Sequence, residues 1–235
     1  MKVKLLSYTK DPEQVVAAAI RQCYSAVGPK ELKKKIDKTT RERLIKQVLA
    51  SGHTSTLEHA SFTFGIEGIS RISEIQLVRH RVGCSYSIQS GRYVKRGEAK
   101  FVIPEAIKNN KEIYIKYKKI LRDVQSLYNE MTEKEIKIKT EDARYLQPQS
   151  LQTKIVVTMN ARALLHFLEL RCCRRAQWEI QQLANSMLGE VRKVAPIIFE
   201  KAGASCMTTG ICWEGEKMSC GLYKKIKGGE VRSRV

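Results

Sequence analysis

The pattern of apolar and polar residues predicts a few strands separated by helices of very different lengths. Residues 1–8, 59–67 and 152–159 alternate between apolar and polar side chains or are rich in β-branched ones, as strands are. Helices of such unequal length do not fit a regular βαβ series. We therefore predict an α+β fold in a single domain, with a small mixed or antiparallel sheet surrounded by helices.

Helical spacing of apolar residues marks the segments between the strands. Asp11 and Asn160 are expected to cap the helices that follow them, and Gly52 is expected to end the helix before it. The longest predicted helix keeps a 3.6-residue apolar period along its length. The predicted helices cover residues 12–24, 40–50, 70–80, 105–132, 143–148, 160–171 and 179–200.

The last part of the chain differs from the rest in composition. After Gly203 it is rich in Gly, Cys and Lys, and it loses the periods of helices and strands. We divide the chain into a folded domain, residues 1–203, and a Cys/Lys-rich, irregular C-terminal tail, residues 204–235. Three tail cysteines could suggest a metal site, but their irregular spacing favours an inert or structural role, so no metal is predicted. These are Cys206, Cys212 and Cys220.

The chain is strongly basic, with 43 Lys and Arg residues against 24 Asp and Glu and a formal net charge of +19. This excess points to anionic partners, either nucleic acid or small phosphates. The lysines cluster mostly in helical or tail segments, as on solvated faces, and the aromatic residues lie mostly at apolar positions. Nucleic-acid binding usually interleaves aromatic with basic residues, so a basic nucleic-acid-binding protein is the less favoured alternative.

The sequence also bears on the cellular compartment. No stretch approaches the ~20 apolar residues that a membrane helix needs, and the first residues turn polar too early for a signal peptide. The seven cysteines are odd in number and irregularly spaced, so reduced thiols are expected. We predict a soluble cytoplasmic protein that does not bind membranes.

Residues 79–94, RHRVGCSYSIQSGRYV, carry the strongest chemical signal. Their arginines would repel one another unless anions lie among them, and a guanidinium matches a phosphate with two hydrogen bonds. The serines, Tyr86 and Gly91 add hydroxyl groups and permissive backbone. This composition predicts a site for a phosphorylated ligand, and a nucleotide in particular. No G-x-G-x-x-G follows a strand in this sequence, so a Rossmann site is not supported.

Two further segments carry candidate ligand-binding residues. His53 and Glu58 lie on a polar turn and are better suited to face a ligand than to bind zinc, whose usual spacing they lack. Asn160 and Arg162 lie at a strand-to-helix junction, where the N–H groups of a helix N-terminus attract phosphate. A simple Asn cap beside a surface Arg is the alternative explanation of this junction.

Together these segments resemble the flavin-dependent thymidylate synthase family. The family signature is Arg-His-Arg, seven variable residues and Ser, whereas here eight residues separate Arg81 from Ser90. We place the extra residue within Val82-Gly83-Cys84. The likeness spans about residues 1–200. It continues through Gly52-His53-x-Ser55-x-Leu57-Glu58-His59, Gln76, Arg144, Asn160-Ala161-Arg162, Phe167-Leu168-Glu169-Leu170-Arg171 and Ala176-Gln177-Trp178-Glu179.

The resemblance implies an enzyme whose catalytic domain is residues 1–203. Such enzymes methylate dUMP to dTMP, with methylenetetrahydrofolate as the carbon donor and FAD, reduced by NADPH, as the source of reducing equivalents. They are homotetramers whose flavin sites lie where subunits meet. A nucleotide-binding regulator without activity is a further alternative, because it would keep the site and lose the chemistry.

The resemblance also implies roles for individual residues. FAD is expected to bind Ser55, Glu58, Arg79, His80, Arg81, Asn160, Arg162 and His166. The substrate dUMP is expected to bind Gln76, Arg79, Ser87, Ser90, Arg92, Arg144 and Arg171. The catalytic centre is expected to contain Arg171, Ser90 and His53, the last bordering flavin and folate. No base is evident beside Ser90 in the sequence, so substrate positioning is favoured over a nucleophilic role, and Cys84 is not assigned to catalysis.

Overall fold

The computed structural model describes residues 1–95 and 97–233. The strands are β1 (Lys2–Tyr8), β2 (Ser61–Ser70), β3 (Cys84–Ile88), β4 (Gln152–Asn160), β5 (Ile211–Cys212) and β6 (Glu230–Val231). The helices are α1 (Pro12–Gln22), α2 (Pro29–Lys35), α3 (Lys38–Ser51), α4 (Arg71–Leu77), α5 (Glu105–Lys108), α6 (Lys111–Met131), α7 (Thr140–Ala143), α8 (Ala161–Arg171), α9 (Trp178–Val194), α10 (Ser205–Thr209) and α11 (Gly215–Met218). Short 3₁₀ helices cover Thr54–His59, Arg144–Leu146 and Leu222–Lys225.

A four-stranded sheet with the order β1-β2-β4-β3 forms the centre of the topology. The predicted α+β fold is confirmed. On β2, Phe62, Phe64 and Ile66 are buried at every second position, which is the alternation that the sequence pattern predicts. The neighbouring strands β2 and β4 are also joined by a hydrogen bond of 2.9 Å between the hydroxyl groups of Thr63 and Thr158.

The chain divides into two compact units. Unit 1 contains Met1–Lys2, Ile66–Val78 and Ser87–Val156, and unit 2 contains Val3–Gly65, Arg79–Tyr86 and residues 157–233. In unit 1, α6 buries Leu121 and Tyr128 on one face. In unit 2, Phe62 packs edge-on against Phe199, with 5.4 Å between ring centroids. The buried carboxylate of Glu13 accepts hydrogen bonds from the backbone N–H groups of Ile197 (2.5 Å) and Ile198 (3.3 Å).

The two longest predicted helices differ from those observed. The predicted helix 105–132 is two helices, because Asn110 caps α6 by accepting a hydrogen bond from the Ile113 N–H. The predicted helix 179–200 ends at Val194, two residues before Pro196, whose ring disfavours a helical conformation in the residue that precedes it.

The segment 70–94 is also built differently from the prediction. Helix α4 ends at Leu77, so Arg79 and His80 follow the helix and do not lie on its surface. The residues after the predicted helix 70–80 include strand β3, which the sequence did not predict and whose Tyr86 is partly buried. A Ser-Tyr-Ser alternation is too short and too polar to stand out as a strand before its neighbour in the sheet is known.

The predicted cap at Asp11 is wrong in its chemistry. Asp11 adopts a left-handed conformation with φ of 52°, and its side chain makes no capping hydrogen bond. Its backbone carbonyl accepts from the N–H groups of Gln14 and Val15 instead. The other two predictions hold, because Asn160 caps α8 and Gly52 ends α3 in a left-handed conformation.

The tail after Gly203 is structured, in contrast to the irregular segment that the sequence predicts. Strands β5 and β6 pair in parallel, and the buried Cys206 and Cys212 form a small apolar cluster with Ala204. Cys172 and Cys173, directly after α8, pack against this cluster. The boundary at residue 203 stays a prediction. Across the described residues, no helix is long and apolar enough to cross a bilayer.

Candidate functional site

The N-terminus of α8 is built by a cap and a tight turn. Asn160 Oδ1 accepts a hydrogen bond of 2.8 Å from the Ala163 N–H, and the Asn160 N–H donates to the Gly83 carbonyl at 3.0 Å. Gly83 has a left-handed φ of 69°, and a Cβ there would lie 2.5 Å from Asn160 Nδ2. Only glycine therefore fits this turn, which lies where the sequence places the extra residue of the Arg-His-Arg segment.

A cavity of about 1050 Å³ lies in unit 2 beside this helix terminus. Four residues that the sequence predicts for a flavin line it: Glu58, Asn160, Arg162 and His166. Arg162 Nη1 forms an ion pair of 2.6 Å with Glu58 Oε1, both side chains being about half exposed. The sequence prediction missed the other polar lining residues, because they lie outside the recognised motifs or, as Thr54 does, at a variable position within one. They include Lys46, Thr54, Lys201, Thr208 and Thr209.

A second cluster in unit 2 joins His80 to α8. Arg171 Nε donates a hydrogen bond of 3.0 Å to His80 Nε2, and the His80 ring packs edge-on against Phe167, with 5.0 Å between centroids. The His166 ring lies 6.2 Å from the His80 ring. Burial, the nearby Arg171 charge and His166 lower the pKa of His80 to about 4, so its imidazole is neutral at pH 7. Burial and then the charge of Arg79 lower the pKa of Arg171.

The remaining predicted residues of unit 2 lie on the surface. His53 precedes the first 3₁₀ helix, Ser55 lies within it, and both are exposed. Arg79 and Arg81 are exposed as well. None of these four residues lines the large cavity, whereas Arg79 is close enough to Arg171 to influence its pKa.

Unit 1 holds the other predicted residues and a cavity of about 360 Å³, which only Arg144 among them lines. Arg144 lines this cavity, and its Nε donates to the Glu141 carbonyl at 3.1 Å. Arg92 Nε donates to the Glu141 carboxylate at 2.8 Å, and the Ser90 hydroxyl accepts from the Arg92 N–H at 3.1 Å. The other two predicted residues, Gln76 and Ser87, are partly buried and exposed, respectively.

Glu141 is the residue of this set that the sequence prediction missed. It holds one arginine with its side chain and a second with its backbone. The available signal was its spacing, because Glu141 and Arg144 are three residues apart and lie on one side of a helical turn. Metal chemistry gains no support in the described parts of the chain, since no group of three or more His, Cys, Asp or Glu residues could hold an ion.

The fold and the two cavities define a class of protein. It is an α+β protein with a capped helix N-terminus beside one large cavity, and Arg71 and Arg144 line a second, smaller one, as suits anionic nucleotide ligands. Comparison with known proteins narrows this class. The family model described as thymidylate synthase complementing protein matches residues 4–197. The chain therefore belongs to the flavin-dependent thymidylate synthase family, as the Arg-His-Arg segment predicts.

Individual relatives agree with this assignment. The chain is 46% identical to the flavin-dependent thymidylate synthase of Clostridium tetani, over 97% of this chain and 96% of that protein. It is 45% identical to the enzyme of the same name from Thermococcus onnurineus, over 97% and 95% of the two chains. A solved structure of the Helicobacter pylori enzyme, complexed with FAD and dUMP, matches with a TM-score of 0.68 and 27% identity, covering 86% of this chain and all of that one.

Proposed function

We propose that this chain methylates dUMP to dTMP, with FAD as redox cofactor, NADPH as reductant and methylenetetrahydrofolate as carbon donor. The family assignment supports the enzyme class, and the Helicobacter pylori structure contains FAD and dUMP. The observation that carries the proposal is the large unit 2 cavity at the N-terminus of α8, because predicted flavin-binding residues from separate segments line it together.

The chemistry of the unit 2 cavity fits a flavin nucleotide. Its volume of about 1050 Å³ lies at the upper end of the range for ligand pockets, as a dinucleotide requires. The N–H groups at the start of α8 and the side chain of Arg162 suit the pyrophosphate, and Asn160 and His166 can bind polar ring edges. Ser55, Glu58, Arg79, His80 and Arg81 complete the proposed set. When bound, the flavin supplies the redox chemistry, and the protein supplies orientation and charge.

For the substrate we propose that the unit 1 arginines bind the phosphate. Arg92 and Arg144 present planar donor groups suited to phosphate oxygens, with Ser90, Ser87 and Gln76 as further polar contacts. The Ser90 hydroxyl already accepts a hydrogen bond from the Arg92 backbone, which suits positioning better than nucleophilic attack. Nothing in this role needs a serine nucleophile.

Arg171 and Arg79 are proposed to bind the pyrimidine end of dUMP. A guanidinium beside a uracil carbonyl stabilises the negative charge that develops when the ring is activated. His53 is proposed to border the flavin and the folate, where its exposed position leaves room for a ligand. The protein's part in the reaction is then to orient the ligands and to supply positive charge.

The proposed assembly is a homotetramer with its active sites at subunit interfaces. Support comes from the exposure of His53, Ser55, Arg79 and Arg81, since residues meant to hold a large cofactor are here left on the surface of one chain. We further propose a cytoplasmic location, which agrees with the seven free cysteines.

The experiment is to purify the protein and record its absorption spectrum. We expect a yellow protein with a flavin spectrum that NADPH bleaches, and formation of dTMP when dUMP and methylenetetrahydrofolate are added. A colourless protein that neither binds added FAD nor makes dTMP would refute the enzyme. Binding of dUMP without turnover would favour the non-catalytic regulator, and binding of nucleic acid without FAD would favour the basic nucleic-acid-binding protein.

A further inference from the structure

The hydrogen bond between His80 and Arg171 in unit 2 gives His80 a further role, which rests on the proposed role of Arg171 in binding dUMP. Arg171 donates from Nε, at 3.0 Å from His80 Nε2. This atom joins the guanidinium to the rest of the side chain, so the bond to His80 fixes the plane of the group. His80 thereby sets the direction in which the two terminal nitrogens point.

His80 is itself held in place from two sides. Its backbone carbonyl accepts a hydrogen bond of 2.6 Å from the Tyr86 hydroxyl on β3. Its ring stands nearly perpendicular to that of the fully buried Phe167, at 82°. Phe167 and Arg171 are four residues apart on α8, so one face of the helix supplies both the packing surface for the imidazole and the arginine that it orients.

The protonation state of His80 agrees with this arrangement. Its lowered pKa keeps the ring neutral at pH 7, and a neutral imidazole has one nitrogen that accepts and one that donates. Because Nε2 accepts from Arg171, the proton is on Nδ1. A charged imidazolium would have no acceptor for the arginine and would repel it.

We propose that His80 is a positioning residue for the substrate, which orients the Arg171 guanidinium by accepting its Nε–H. The resemblance to the family implies only a flavin contact for this histidine. In the proposed role, His80 affects dUMP binding through Arg171, and the loss of the acceptor matters more than the loss of the ring.

Two substitutions separate the acceptor from the ring. His80→Phe keeps an aromatic ring against Phe167 and removes the acceptor, whereas His80→Gln removes the ring and keeps an oxygen that can accept from Arg171. We expect His80→Phe to raise the dissociation constant and KM of dUMP about tenfold or more, since the bond has a charged donor. His80→Gln should restore most of this loss. FAD affinity should fall by a similar factor in both variants, because each loses the imidazole that is proposed to contact the flavin, so the difference between them in dUMP binding reports on Arg171 alone.

The matched control is the same pair of substitutions at His59, an exposed histidine outside the proposed sites. The stronger test combines His80→Phe with Arg171→Ala. If His80 acts through Arg171, the double variant binds dUMP no more weakly than Arg171→Ala alone. Additive losses, or an equal loss in His80→Phe and His80→Gln, would overturn the proposal.

One readout does not depend on activity or on dUMP. In protein labelled with ¹⁵N-arginine, the Arg171 Nε proton, identified by its absence in Arg171→Lys, should exchange slowly with water and lose this protection in His80→Phe. Unchanged exchange in His80→Phe would refute the positioning role even if the enzyme makes dTMP. Lost protection in a protein that makes no dTMP would refute the proposed function and leave the hydrogen bond established, so the two failures are distinguishable.

Discussion

The two units differ in what holds the arginines proposed to bind dUMP. In unit 1, Arg92 donates to the carboxylate of Glu141 and Arg144 to its carbonyl, so an acidic residue organises both cations. In unit 2, Arg171 donates to the neutral ring of His80. A carboxylate partially cancels the charge that attracts an anionic ligand, whereas a neutral imidazole orients the guanidinium without cancelling its charge. In the proposed roles, the substrate phosphate replaces the Glu141 carboxylate at Arg92 in unit 1. In unit 2, Arg171 keeps its full charge for the negative charge that develops during the reaction.

The largest expected effect is that of Arg171→Ala. Removing a charge proposed to face the activated pyrimidine should lower the rate of dTMP formation by about 10²–10³-fold. It should weaken dUMP binding much more than FAD binding, measured by titration of each ligand. Arg174→Ala, which removes an exposed arginine three residues later, is the control and should have little effect. Equal losses of dUMP and FAD affinity would show that Arg171 serves the flavin.

The next largest effect is expected for Gly83→Ala, which tests whether the turn beside the unit 2 cavity is preorganised for its ligand. Gly83→Ala places a Cβ against Asn160 and forces a side chain into a left-handed conformation. We expect a loss of about 1–3 kcal/mol in the free energy of unfolding, together with weaker FAD binding. In contrast, Gly189→Ala adds a methyl group on α9 with nothing within 4 Å and should stabilise by about 0.5–1 kcal/mol. If the Gly83→Ala variant has the same free energy of unfolding as the wild type, this turn is not rigid.

The third effect is the pH dependence of stability that the neutral ring of His80 causes. The pKa of His80 is about 4 in the folded protein and 6.5 in the unfolded chain, so the unfolded state binds the proton first as pH falls. This contribution to stability is complete above pH 6.5 and declines between pH 6.5 and 4. The midpoint temperature of thermal unfolding should therefore fall less steeply, as the pH is lowered across this range, for His80→Gln than for the wild type. The same slope in both would show that His80 is not buried as a neutral ring.

The smallest effect is expected in unit 1. Glu141→Gln removes the carboxylate that competes for Arg92 and keeps the backbone carbonyl that binds Arg144. Because exposed ion pairs contribute only about 0–1 kcal/mol, we expect dUMP affinity to rise by no more than about fivefold. Glu135→Gln, at another exposed position, controls for the general loss of negative charge. Weaker dUMP binding in Glu141→Gln would mean that Glu141 orients Arg92 for the phosphate.

The sequence predicted best where the signal is local. The cap at Asn160, the alternation of β2 and the α+β class follow from periods and capping residues that need no partner. The Arg-His-Arg segment and the residues around it were sufficient to identify the family, which the comparisons confirm.

The prediction failed where a distant partner determines the structure. Strand β3 is short and polar, and its place in the sheet depends on β4, far along the chain. The bond between Arg171 and His80 joins residues 91 positions apart, and the bond between Arg92 and Glu141 joins residues 49 apart. No spacing rule connects such pairs, nor does any local pattern indicate that the tail packs against Cys172 and Cys173.

The packing of the tail has a consequence for how the protein is made. Cys172 and Cys173 immediately follow Arg171, and they pack against the tail cluster, as Val231 of β6 also does. During translation, helix α8 is synthesised about sixty residues before Val231 completes that cluster. At typical elongation rates of about 5–20 residues per second, the thiols beside Arg171 stay uncovered for several seconds. In this interval the nascent chain exposes both thiols to oxidants and chaperones more fully than the finished protein, in which they are partly buried.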